Sequence, residues 1–186
     1  MQSIDPVITE LKFKEELKIF LASTEYNRRR GILLLEATYP NIIIAFAVIK
    51  LKPHPIGFAI CFNFDNYDLE PLSARFVDPF TFAPEVNGFA LWRKIEGSIQ
   101  LQNLTQKDET GLPFVCIPGV REYHHHPAHS GDSWLLRRQK GGEGSLGFLV
   151  EKLYEYGIPA ISSFQVQLAA NIPQLQLGID LNLISL

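Results

Sequence analysis

Cysteine is scarce in this chain. Two in 186 residues, Cys61 and Cys116, cannot build a disulfide framework. No charged-then-apolar pattern at the N-terminus points to an oxidising compartment. Long apolar runs are missing too: the strongest, NIIIAFAVIKL, is well short of the roughly 20 residues that cross a bilayer. Neither sign of charge dominates, with 17 Lys and Arg against 20 Asp and Glu. A net charge of -3 and a pI near 5.9 argue against a nucleic-acid footprint, and the basic run Arg28-Arg29-Arg30 is local. These absences lead to the expectation of a soluble cytoplasmic protein that partners neither nucleic acid nor membrane. What is present, 46% hydrophobic and 20% charged residues, suits a globular core. The length suits one domain over 1–186, and there is no internal repeat or low-complexity linker.

The first segment has helix punctuation at both ends. Asp5 can cap it and Pro6 suits the first turn, while Phe13, Leu17, Phe20 and Leu21 recur at helical spacing. Arg28 to Arg30 complement the dipole at its end, and Gly31 can terminate it in the left-handed conformation. Three strand-like runs follow, ILLLEATY, NIIIAFAVIKL and IGFAICFNF, divided by turn material, and SARFV makes a fourth. Residues 82–113 read as irregular. A second helix is predicted from Ser145 to Tyr156, with Ser145 as its cap, Gly157 as its stop, and Leu146, Leu149, Val150 and Leu153 as its buried stripe. The tail alternates in FQVQL and again through Leu175, Leu177, Ile179, Leu181 and Leu183, which predicts two further strands.

Chemistry concentrates in CIPGVREYHHHPAHSGDSW, from Cys116 to Trp134, which holds four of the five histidines. Read as an extended segment, as Tyr123 and the position before Pro127 favour, REYHHHP puts Glu122, His124 and His126 on one face. Tyr123 and His125 then face the other way. The turn after Pro127 can swing His129 back, and the Pro118-Gly119 turn can bring the Cys116 sulfur to the same point. Thiolate, imidazole and carboxylate together suit zinc, at roughly 2.0–2.3 Å. Asp132 is a candidate acceptor for the free ring N–H of a ligand histidine. The bland reading is a solvated histidine turn. Cys61 reads as core, His54 as loop, and Trp92 and Trp134 as packing residues. KGGEGSLG lacks the spacing and the Lys-Ser/Thr pair of a phosphate loop; Gly142 and Gly144 instead read as a turn that sets the second helix beside the cluster.

Cys116, Glu122 and the paired histidines resemble the metal-binding family named for its Cys, Glu, His, His pattern, which is associated with bacterial ubiquitin-like conjugation systems. The resemblance spans about 116–157 and leaves His124, His126 and His129 competing for two places. Residues 5–92 are similar to ubiquitin-conjugating enzymes in their order of helix then meander, and YDLEPLSARFVDPFTFAPEVNG resembles those enzymes' stretch after the meander, with Tyr67, Pro71, Arg75 and Phe76 in place. Ala83-Pro84-Glu85 stands where they have His-Pro-Asn, and Ala90 lies near the place of their cysteine. HHHPAHSGD resembles the zinc motif of JAMM metalloproteases, with His124, His126 and Asp132 as ligands, although its ligand loop is about half the usual length. Cupins also use a His-x-His pair, but the glutamate they place a few residues later is missing.

The expectation is therefore an α+β fold: an N-terminal helix on an antiparallel, ubiquitin-conjugating-enzyme-like meander, a second helix and extra C-terminal strands. Its metal centre would draw on Cys116, Glu122, His124, His126 and His129, with zinc as cofactor. The resemblance implies an accessory role in a bacterial ubiquitin-like modification pathway, with a ubiquitin-like protein or its conjugation components as partner. The alternatives are a zinc-dependent, JAMM-like hydrolase using a metal-activated water, and a metal-free interaction module.

Overall fold

Asp5 opens the first helix as its sequence suggests. Its carboxylate accepts from the Val7 amide at 2.9 Å, and Pro6 begins helix α1 (Pro6–Ala22). The helix expected to reach Arg30 is divided at Ser23, where α2 (Thr24–Arg29) starts. The Thr24 hydroxyl donates to the Leu21 carbonyl at 2.6 Å, a local bond that competes with the continuing ladder. Gly31 then takes a φ of +81° and the chain enters the sheet. The structure is a computed structural model that describes residues 4–138, 142–169 and 172–180.

The four apolar runs become β1 (Ile32–Thr38), β2 (Asn41–Ala47), β3 (Ile56–Asn63) and β4 (Ser73–Val77), each antiparallel to the next. The region read as irregular holds four short strands: β5 (Trp92–Lys94), β6 (Leu101–Asn103), β7 (Thr105–Lys107) and β8 (Pro113–Val115). Strands of three residues carry too little periodicity to show in a sequence; their partners define them. β8 pairs with β4 and β7 with β8, which completes a six-stranded antiparallel sheet in the order β1-β2-β3-β4-β8-β7, while β5 and β6 form a separate hairpin.

Beyond β8 come helix α3 (Arg121–His125), a 3-10 turn over Pro127–His129, helix α4 (Trp134–Arg137) and helix α5 (Leu146–Gly157). Ser145 caps α5, its hydroxyl accepting from the Phe148 amide at 3.3 Å. β9 (Ile161–Ala169) and β10 (Ile172–Ile179) pair antiparallel, as the alternating tail predicts, while Leu181 and Leu183 lie outside the described residues.

The main core lies on one face of the sheet. Ile42, Ile44 and Phe46 of β2 and Ile60 and Phe62 of β3 meet Phe13 and Phe20 of α1. The predicted α5 stripe of Leu146, Leu149, Val150 and Leu153 is buried in the same cluster, each side chain contributing roughly 1.5–3 kcal/mol. The opposite face carries a smaller cluster around Ile43, Ala45, Ala59 and Val77, against which Cys61 packs. Among the described residues, no helix is long and apolar enough to cross a membrane.

Candidate functional site

The segment expected to be extended is helical. Arg121–His125 forms α3, and among these positions the restriction before proline reaches His126 alone, which is extended at φ -71° and ψ 132°. Arg121 is held by its amide, which donates to the Leu72 carbonyl at 2.8 Å, so the chain turns here against the start of β4. Helical spacing replaces strand parity and redistributes the side chains. Glu122, His125 and His126 line one cavity of about 330 Å³, together with Arg75 and Phe114. Tyr123 faces another of about 320 Å³, which also takes in Cys116 and His129. His125, expected to point away from Glu122, shares its cavity.

Glu122 is bound to the sheet and away from Cys116. Its carboxylate accepts from the Ser73 hydroxyl at 2.5 Å, the Arg75 guanidinium at 3.0 Å and the Ala74 amide at 3.2 Å. His124 has both ring nitrogens engaged with backbone. Nε2 accepts from the Gly119 amide at 3.1 Å, so Nδ1 carries the proton and donates to the Asp132 carbonyl at 2.7 Å. Burial pushes its pKa below the ordinary histidine value, with the Asp132 bond opposing. His126 Nδ1 accepts from the Ala128 amide at 3.3 Å and caps the 3-10 turn. Asp132 serves His124 through its backbone oxygen. Its carboxylate accepts from the Arg137 guanidinium at 2.6 Å and the Tyr123 hydroxyl at 2.9 Å, and the Arg137 bond holds its pKa below the usual range.

Cys116 and His129 do meet. Sγ lies 3.4 Å from Nε2, with the thiol half-buried in the wall of its cleft. The Tyr123 ring stacks on His129, with centroids 3.9 Å apart and an interplanar angle of 19°. Burial raises the Cys116 pKa, which the nearby Arg93 charge opposes, and burial and His126 lower that of His129. Both shifts favour the uncharged forms, thiol and imidazole. The five residues expected to bind zinc do not converge on one point. Among the described residues, no group of three or more His, Cys, Asp and Glu side chains is placed to hold a metal ion.

The cleft is completed by residues that the sequence did not single out: Arg93 from β5, Arg137 from α4, and Phe148, Lys152 and Tyr156 from α5. The two glycine-bearing turns bring α5 here as the sequence suggested. A Cβ on Gly119, at a φ of +94°, would meet the Gly144 Cα at 2.7 Å, so the loop after Cys116 and the turn before α5 touch through backbone.

Comparison with known proteins places the whole of this arrangement inside one family. The Y4jH family model matches residues 4–90 and 90–161. The chain belongs to the Y4jH-like family. The y4jH protein of Sinorhizobium fredii (strain NBRC 101917 / NGR234), described as uncharacterized, is 38% identical over 187 residues, covering 90% of this chain and 91% of that protein. The matched stretch of this Y4jH-like chain holds the six-stranded sheet, both cavities and α5, and stops at the first residue of β9.

Proposed function

We propose that the chain works through Cys116 as a thiol nucleophile in acyl transfer, with His129 as its base, within a bacterial ubiquitin-like modification pathway. The observation that carries this reading is the 3.4 Å approach of Sγ to Nε2 in the wall of an open cleft. A nucleophile paired with a neutral base needs no resting thiolate, because the proton leaves as the new bond forms. Sγ attacks the carbonyl carbon of a thioester donor while Nε2 takes the thiol proton. The donor's sulfur departs with the electron pair of the broken C–S bond and receives that proton, leaving the acyl group on Cys116 and a free thiol. The pathway is supported by the resemblance of residues 5–92 to ubiquitin-conjugating enzymes, whose order of helix then antiparallel meander α1 and β1 to β4 share. Ala90 occupies the neighbourhood of their nucleophile, and Cys116 offers a thiol further along the chain.

The test is incubation of the purified chain with a peptide thioester, followed by intact mass. One acyl group per chain is expected, absent in Cys116→Ala and formed about a hundredfold more slowly in His129→Ala. A wild-type chain that gains no acyl group overturns the reading.

A second reading, a zinc-binding accessory protein of the same pathway, rests on the same distance, since a thiolate and an imidazole on one tetrahedral zinc stand roughly 3.5 Å apart. Cys116 and His129 would hold the ion, with the His126 ring, 5.8 Å from that of His129 between centroids, as the nearest further imidazole. Stoichiometric zinc in protein purified without chelator, lost in the Cys116→Ala variant, would favour it over the thiol. The JAMM-like hydrolase would need His124, His126 and Asp132, of which both His124 ring nitrogens, His126 Nδ1 and both Asp132 carboxylate oxygens are already bonded within the protein.

A further inference from the structure

The cleft at Cys116 runs into a larger trough. Arg93, Lys152 and Tyr156 line both, the cleft of about 320 Å³ and a trough of about 730 Å³ that continues past Lys94 and Glu155. One wall is the β5–β6 hairpin and the other is the second half of α5. Cys116 lies in the cleft, and the residues common to both make trough and cleft adjoin.

The cations of the cleft and trough are not equally engaged. Among the described residues Arg93 and Lys94 make no ion pair, and of those two Arg93 is the one that lines both. Arg137 is bound to Asp132 and Glu143, and Lys152 to Glu155 at 2.7 Å. Arg93 donates through Nη2 to the amide oxygen of Gln102 at 2.6 Å, a neutral partner, and among the described residues no carboxylate is recorded within ion-pair distance of it. A guanidinium has five N–H donors in a planar fork, so most of its bonding capacity remains for an anion, and two parallel bonds to a carboxylate are its best match.

We propose that Arg93 reads an acidic side chain on the acyl donor, so that the preferred donor is an extended peptide carrying Asp or Glu beside the carbonyl that is passed to Cys116. The inference rests on Cys116 as the acyl acceptor and adds the class of donor. Its physical basis is charge complementarity. A half-buried cation whose partner is a neutral amide gains a charge-assisted pair when the donor binds, at the place where the trough meets the sulfur.

The probe is a pair of synthetic peptide thioesters identical except for Glu or Gln at the residue next to the reactive acyl group, followed by intact mass on the full chain. The Glu peptide should acylate Cys116 about tenfold faster. Arg93→Gln should abolish the preference by slowing the Glu peptide about tenfold more than the Gln peptide, and Arg93→Lys should restore part of it, with thermal midpoints unchanged. Equal rates for the two peptides in the wild type overturn the proposal, as does an Arg93→Gln variant that slows both alike. If neither peptide acylates Cys116, the thiol reading fails, and the anion site is judged separately by fluorescence anisotropy with the labelled peptide amides. About tenfold tighter binding of the Glu peptide, lost in Arg93→Gln, upholds the site; equal or absent binding overturns it.

Discussion

The two cysteines show how much a sulfur owes to its neighbours. Burial on the second face of the sheet pushes the Cys61 thiol up to about 11, and Glu36 adds to it. Burial raises Cys116 as well, but there Arg93 pulls the other way and the cleft admits solvent. Thiolate is the alkylating form, and a raised pKa moves its appearance to higher pH. At about pH 8.5, where an unperturbed thiol is half ionised, iodoacetamide should label Cys116 first and both cysteines more slowly than a free thiol. Labelling of Cys116 should keep rising as the solution is made more alkaline. Peptide mapping by mass spectrometry reads this directly, and Cys61 reacting as fast as Cys116 would contradict the burial described. His129 and Tyr123 carry a related lesson. The histidine was legible as a partner for Cys116, because a turn after Pro127 can return it to that side. Tyr123, the ring beneath it, was placed on the wrong face by a strand period where the backbone is helical.

Among the elements, those with strong local chemistry were legible. Asp5 with Pro6, and Ser145 before an apolar stripe, fixed the starts of α1 and α5. Continuous apolar runs separated by turns gave β1 to β4. Helix α3 gave no such signal. It has five residues, no side-chain cap, and a tyrosine whose preference is for strands. Tertiary bonds form it, through the Arg121 amide to Leu72 and the Glu122 carboxylate to Ser73 and Arg75. The turn before α5 is the element-scale counterpart of the cleft, since it sets where Phe148, Lys152 and Tyr156 stand. Gly144 has a φ of +81°, and a Cβ there would lie 2.6 Å from Cη2 and Cζ3 of the buried Trp134 ring. Gly144→Ala should therefore cost at least about 1 kcal/mol from the left-handed backbone, before the clash is counted. The thermal midpoint should fall by at least about 2–4 °C. An unchanged midpoint would mean that Trp134 does not pack as described.

For the molecule as a whole, stability and chemistry occupy different parts. The sheet, α1 and α5 supply most of one large apolar cluster; the segment from Cys116 to Arg138 adds Ile117 and Val120 to it but is otherwise built of short helical turns joined largely by polar bonds. Helices this short do not persist without their surroundings. Amide hydrogen exchange should accordingly be slowest in β2 and β3 and fastest, among the helices, in α3 and α4, with local opening well below the energy of global unfolding. Protection in α3 equal to that of β2 would refute this division. The apolar half was readable because burial leaves a periodic trace in sequence. The polar half was readable in composition but not in arrangement, since ring nitrogens and carboxylates choose partners that only the finished sheet supplies.

Helix α3 is also a partition one helix thick. Glu122, His125 and His126 form the wall of one cavity, and Tyr123 is part of the wall of the other. The wall is anchored to β4 through Glu122, and the same short helix carries the Tyr123 ring that lies beneath His129. One five-residue helix thus bounds both chambers, the one that holds the thiol and the one that does not.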